Sequence, residues 1–152
     1  MLSTLRRAAL GAALCLAGSV TAQVVPVNNT GCPGFAPPQW QGAPNLGQQI
    51  AFSLQRRPSP RSFVFVAMGY PSGGGIPFDL PFTCVQGPCV WYLAPFGGEY
   101  ALVSDTFLAT LALRIPNDRA LLFQTFSIQG GNVEGFGNCI TLSQALSFAI
   151  GP

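Results

Sequence analysis

The chain has 152 residues, 49% of them hydrophobic and only 8% charged, against roughly 25% charge in an ordinary soluble protein. Its seven basic residues are all Arg, and they face five carboxylates with no His anywhere. That inventory excludes Ser-His-Asp and Cys-His nucleophile systems, and a balance so close to neutral gives no electrostatic case for binding nucleic acid or an anionic membrane.

Residues 1–22 read as a secretory signal peptide. Arg6 and Arg7 form its positive start, Ala8 to Ala17 its apolar stretch, and Val20-Thr21-Ala22 a small-residue cleavage site before Gln23. The apolar stretch is about half the roughly 20 residues that a membrane-spanning helix needs, and no later segment is apolar and unbroken enough to cross. Leu14 before Cys15 does not fit a lipoprotein signal. Cleavage removes Arg6, Arg7 and Cys15. One domain, residues 23–152, then remains, with five Arg against five carboxylates and four cysteines: Cys32, Cys84, Cys89 and Cys139. An even number in an oxidising compartment implies two disulfides, with three connectivities open. Without His or a CxxC pair, a metal site is not expected.

Gln23 to Thr30 reads as an extended arm ending in a formal glycosylation sequon, Asn28-Asn29-Thr30. Gly31-Cys32-Pro33-Gly34 is a turn pinned by a crosslink. Ala36 to Asn45, with Pro37, Pro38 and Pro44, is an irregular lead-in. Gln49 to Leu54 alternates cleanly, with Ile50, Phe52 and Leu54 inward. The run from Arg56 to Arg61 gathers three Arg at one loop, read as a solvated tip rather than an anion site. Ser62 to Met68 is apolar on both faces, as in a central strand covered on both sides or a strand near a sheet crossover. Gly69 to Gly75 is a flexible loop; its glycines lack the Lys and following helix of a phosphate cradle. Ile76 to Phe82 is a short edge strand interrupted by Pro77 and Pro81. Cys89 to Leu93 is a strand, Ala94 to Glu99 turns, and Tyr100 to Val103 pairs again.

Phe107 to Ile128 looks like two strands joined by a tight turn. Phe107, Ala109, Leu111, Leu113 and Ile115 share one face of the first strand. Pro116-Asn117-Asp118 supplies turn chemistry. Leu122, Phe126 and Ile128 share a face of the second strand. Gly130 to Gly137 reads as a long Gly-rich loop. Thr141 to Ile150 closes the chain as a strand, although Leu142, Leu146 and Ile150 also fit helical spacing. Seven to eight short strands with no α-helix after the leader argue for an all-β fold, a single antiparallel β-sandwich stapled by disulfides.

Several short motifs recur in one order: Gly31 to Gly34 (GCPG), the strand from Leu46 to Leu54, Ser62 to Gly69, Ile76 to Pro81 (IPFDLP), Gly87 to Cys89 (GPC), Ile115 to Asp118 (IPND), Leu121 to Gln124 and Leu142 to Ile150. In that order they resemble an exported β-sandwich module common in planctomycetes and similar environmental bacteria. The resemblance covers nearly all of residues 23–152 and transfers no active site. Its usual cysteines match Cys32 and Cys89, which implies a Cys32–Cys89 pair and leaves Cys84 for Cys139. The rival is a local Cys84–Cys89 loop with Cys32–Cys139. The chain departs from the pattern after Asp105, where Thr106-Phe107-Leu108 replaces the usual Gly.

Function follows from what chemistry remains. The carboxylates Asp79, Glu99, Asp105, Asp118 and Glu134 are scattered through predicted loops and edges, which argues against the paired acids of a glycoside hydrolase, and no Asp-rich spacing suggests calcium. No catalytic residue, cofactor or metal is expected. The expected function is an exported, non-catalytic structural or adhesive module, secreted or at the cell surface, meeting other surface proteins or glycans. The alternative is a carbohydrate-binding module that stacks sugars on Trp91, Tyr70 or Trp40. Trp91 and Tyr92 alternate, so one of them faces outward unless both faces are covered; packing of Trp91 in the core against a disulfide is the competing reading.

Overall fold

The computed structural model describes residues 22–57, 62–78, 88–94, 100–104, 106–134 and 139–152. In chain order the strands are β1 Val24–Val27, β2 Gln39–Gly42, β3 Gln49–Gln55, β4 Phe63–Gly69, β5 Pro71–Phe78, β6 Cys89–Leu93, β7 Tyr100–Ser104, β8 Leu108–Arg114, β9 Thr125–Glu134, β10 Cys139–Leu142 and β11 Ala145–Ala149. The fold is all-β, and every named strand pairing is antiparallel. Among the described residues the sole helical element is a 3₁₀ turn, Arg119–Leu121, capped by Asp118 Oδ1, which accepts from the Ala120 N–H at 2.9 Å.

Three sheets form. The largest runs β1-β11-β9-β4-β7, with β10 also on β9; a second runs β2-β3-β8; the third is the β5-β6 pair. The ten-residue β9 is the spine. One side pairs with β4, while the other takes β11 along its first half and β10 along its second. Alternation along β3, β4, β9 and β11 points Ile50, Phe52, Val64, Val66, Ile128, Leu146 and Phe148 into one core between the six-stranded and three-stranded sheets. Phe52 is wholly buried and stacks on Phe148, with ring centroids 5.4 Å apart. Burying a side chain of that size stabilises by about 1.5–3 kcal/mol. On the opposite face of the six-stranded sheet, Phe65 and Leu142 meet Cys32, Cys89 and Trp91 in a smaller second core. The double-sided apolarity of β4 thus has two causes, Val64 and Val66 serving one core and Phe65 the other.

Several expected elements differ. The hairpin of Phe107 to Ile128 does not form: β8 pairs with β3 and β9 with β4 and β11, in different sheets. The connection between them holds the 3₁₀ turn and is too long for a tight hairpin, so each strand finds a distant partner. Phe107 is 62% exposed rather than inward, because β8 begins only at Leu108. The lead-in from Ala36 to Asn45 contains β2, registered Trp40 opposite Phe52. The Gly69–Gly75 stretch is largely strand β5, with an irregularity between Pro71 and Ile76. Of the expected Gly130–Gly137 loop, residues as far as Glu134 belong to β9. The closing strand breaks at Ser143-Gln144, giving β10 and β11. The strand count among the described residues is eleven. Residues 1–21, 58–61, 79–87, 95–99, 105 and 135–138 lie outside the described residues, and with them the expected signal peptide, Arg61, Cys84, and the carboxylates Asp79, Glu99 and Asp105.

Candidate functional site

The second core is built on the Gly31–Gly34 turn. Gly31 exchanges two backbone hydrogen bonds with Val90, its N–H donating at 2.8 Å and its carbonyl accepting at 2.9 Å. Its φ is +74°, and a Cβ there would lie 2.3 Å from the Ser143 carbonyl oxygen, so only glycine fits. Cys32 follows, donating its N–H to the Leu142 carbonyl and forming the disulfide to Cys89. The expected Cys32–Cys89 pair is therefore present. Cys139 is also disulfide-bonded, and Cys84 lies outside the described residues.

Gln129 joins this layer to the main sheet. It is wholly buried on β9 and sends its amide across to β6. Its Nε2 donates to the carbonyls of Val90 (2.9 Å) and Ser143 (3.0 Å), and its Oε1 accepts from the Tyr92 N–H at 2.7 Å. One side chain thus does the work of a short strand ladder. Sequence reasoning passed over it, since a Gln between Ile128 and Gly130 carries no local signal of burial.

The three aromatics proposed for ligand stacking do not converge. Trp91 is half-buried in the second core, its ring 6.3 Å from that of Phe65, and its outer side lines a shallow apolar recess with Ile140 and Leu142. Tyr70 is 46% exposed and stacks on Phe126 at 5.3 Å, at the outer end of a ring series that continues through Phe148 to Phe52. Trp40 is 41% exposed on β2, an edge strand of the three-stranded sheet. The sequon residues serve the frame: the Thr30 hydroxyl donates to the Val27 carbonyl at 2.6 Å and accepts from the Ala145 N–H at 2.9 Å.

Two clefts remain. One, of about 330 Å³, lies near Phe35, Gln39, Ser53, Arg56, Arg57 and Asn132. Arg57 is not a loose cation at a loop tip. Its guanidinium sits 4.3 Å over the Phe35 ring and 3.5 Å from Glu134 Oε1, and its backbone N–H donates to Asn132 Oδ1. The charge of Arg57 is thus already engaged, and Arg56 Nη1 donates to the Ser62 carbonyl at 3.2 Å. The ion pair, partly open to solvent, adds little, of order 0–1 kcal/mol. The other cleft, of about 480 Å³, is apolar. It follows β8 from Leu111 to Ile115 and is floored by Ile50, Met68, Phe126 and Phe148, with Arg114 its one charged lining residue. Among the described residues, β8 pairs with β3 on one side and with no strand on the other. No group of three metal-binding side chains gathers among the described residues.

No protein-family model, curated protein or solved structure matches this chain.

Proposed function

We propose that the chain is an exported, non-catalytic structural or adhesive module: a single β-sandwich released from a signal peptide, secreted or held at the cell surface, and resembling the exported bacterial module suggested by its motif order. The observation that carries this reading is the pair of edges on the three-stranded sheet that no strand covers among the described residues. The four residues of β2 and the seven of β8 hold one charge between them, Arg114. Sheet edges in soluble proteins are ordinarily blunted with charges, proline or bulges, because an open ladder of N–H and C=O groups recruits another strand. Exposed Trp40 and Leu108 lie on these two edges, with Phe107 just before β8. A disulfide between Cys32 and Cys89 suits an oxidising compartment.

The exposed rings of Trp40 and Tyr70 favour a second reading, a glycan-binding module. One experiment separates the two. Residues 23–152, oxidised, are screened against polysaccharides and peptidoglycan, with light scattering on the same sample. Defined association without glycan binding is the expected result. Saturable glycan binding abolished by Tyr70→Ala or Trp40→Ala replaces the structural reading with the carbohydrate one.

A further inference from the structure

We infer that the partner of the β8 edge is a second copy of the same edge. This inference rests on the structural reading above and names its partner. Beside β8 the core is incompletely closed: Met68, Leu111, Leu113 and Phe126 pack against it but stay partly exposed. The groove they form runs beside the open ladder of β8. An extended strand laid there satisfies both the ladder and the apolar floor.

The pattern of β8 is self-complementary in an antiparallel pairing with its two-fold axis at Ala112. Leu111 then faces Leu113 of the second copy, and Leu113 faces its Leu111, all on the inner face beside the groove. Thr110 faces the second copy's Arg114 on the outer face. The small Ala112 meets its own equivalent on the axis, where close approach is easiest. No like charges are brought opposite each other, which would otherwise oppose the pairing. Pro116 ends the ladder at each side, since it has no N–H to donate. A two-fold contact of this kind is closed, and it joins the two three-stranded sheets into one continuous sheet. The shared edge is short compared with a standard interface of about 1,600 Å², so association is expected in the micromolar range.

The test uses the oxidised chain, residues 23–152, in sedimentation velocity across a concentration series, with Ala112→Lys, Ala112→Cys and Thr110→Cys. Residue 112 is exposed, so the Lys variant keeps its fold, checked by an unchanged melting temperature. The expected result is a reversible dimer that Ala112→Lys weakens at least tenfold, and an interchain disulfide formed by Ala112→Cys but not by Thr110→Cys. A monomer at every concentration overturns the inference, and the polysaccharide and peptidoglycan screen then decides the adhesive reading separately. An oligomer indifferent to Ala112→Lys, with no Ala112→Cys crosslink, also overturns the inference but leaves the structural reading standing.

Discussion

Replacing Gln129 with Leu tests whether one buried amide holds the second layer to the main sheet. The shape changes little, but three hydrogen bonds disappear, to Val90, Ser143 and Tyr92. The Val90 carbonyl keeps the Gly31 N–H as a partner. The Tyr92 N–H and the Ser143 carbonyl lose the amide that served them. A net hydrogen bond contributes about 1 kcal/mol, and an orphaned buried group costs about 1–3 kcal/mol. Leu recovers part of this through apolar burial. The expected loss is about 2–3 kcal/mol, or roughly 10 °C in melting temperature for a domain of this size. Urea unfolding of the oxidised chain, followed by tryptophan fluorescence and by circular dichroism, measures it. Gln129→Glu keeps the acceptor for Tyr92 but sets a carboxylate against two carbonyls, so it should be at least as damaging. A Gln129→Leu protein within about 0.5 kcal/mol of the parent would show that the amide bonds only exchange evenly with water, and the bridging argument would fail.

The Cys32–Cys89 bond closes a separation of 57 residues. In the chain-entropy account the double variant Cys32→Ala/Cys89→Ala loses about 4 kcal/mol, and a urea midpoint unchanged from the parent would contradict it. Gly131→Ala drives a methyl to 2.3 Å from the Thr141 carbonyl oxygen and 2.9 Å from the Phe65 ring, whereas Gly74→Ala meets open space. The first should destabilise by roughly 1–3 kcal/mol and the second by less than about 0.5 kcal/mol, as read by thermal melts of the two proteins side by side. Peptide mass mapping of the unreduced chain should find Cys139 joined to Cys84, and Cys139→Ser should lower the melting temperature; a Cys84–Cys89 peptide would refute that pairing.

What the sequence disclosed was local. The period of two in β3 and β8 correctly placed Ile50, Phe52 and Ala109 inside, and the apolar run of β4 correctly implied cover on both faces. Pairing was not legible, because a strand's alternation is the same whichever strand lies beside it. Hence β8 and β9, adjacent in the chain and separated by turn residues, read as partners when each belongs elsewhere. Glycine misled for a related reason. Gly131 suggested a loop by composition, yet it sits in β9 because the Phe65 ring and the Thr141 carbonyl leave no room for a side chain. Gly75 in β5 is held at a φ of +73°, with Val90 pressed where its Cβ would be. Arg57 looked like part of a solvated tip because its counterparts, Phe35 and Glu134, are remote in sequence. Of the candidate surfaces, the exposed rings of Trp40 and Tyr70 could be nominated from residue type alone. The open edge of β8 could be found only once its single neighbour was known.

The pairing of the first strand with the last has a kinetic consequence. Val24 lies opposite Phe148, and the parallel bridge of Asn45 to Gly151 likewise ties an early segment to the chain's end. β1 cannot take its place until β11 has been made. Closing such long loops costs entropy before any contact rewards it, so folding falls in the slow, milliseconds-to-seconds regime of non-local β proteins.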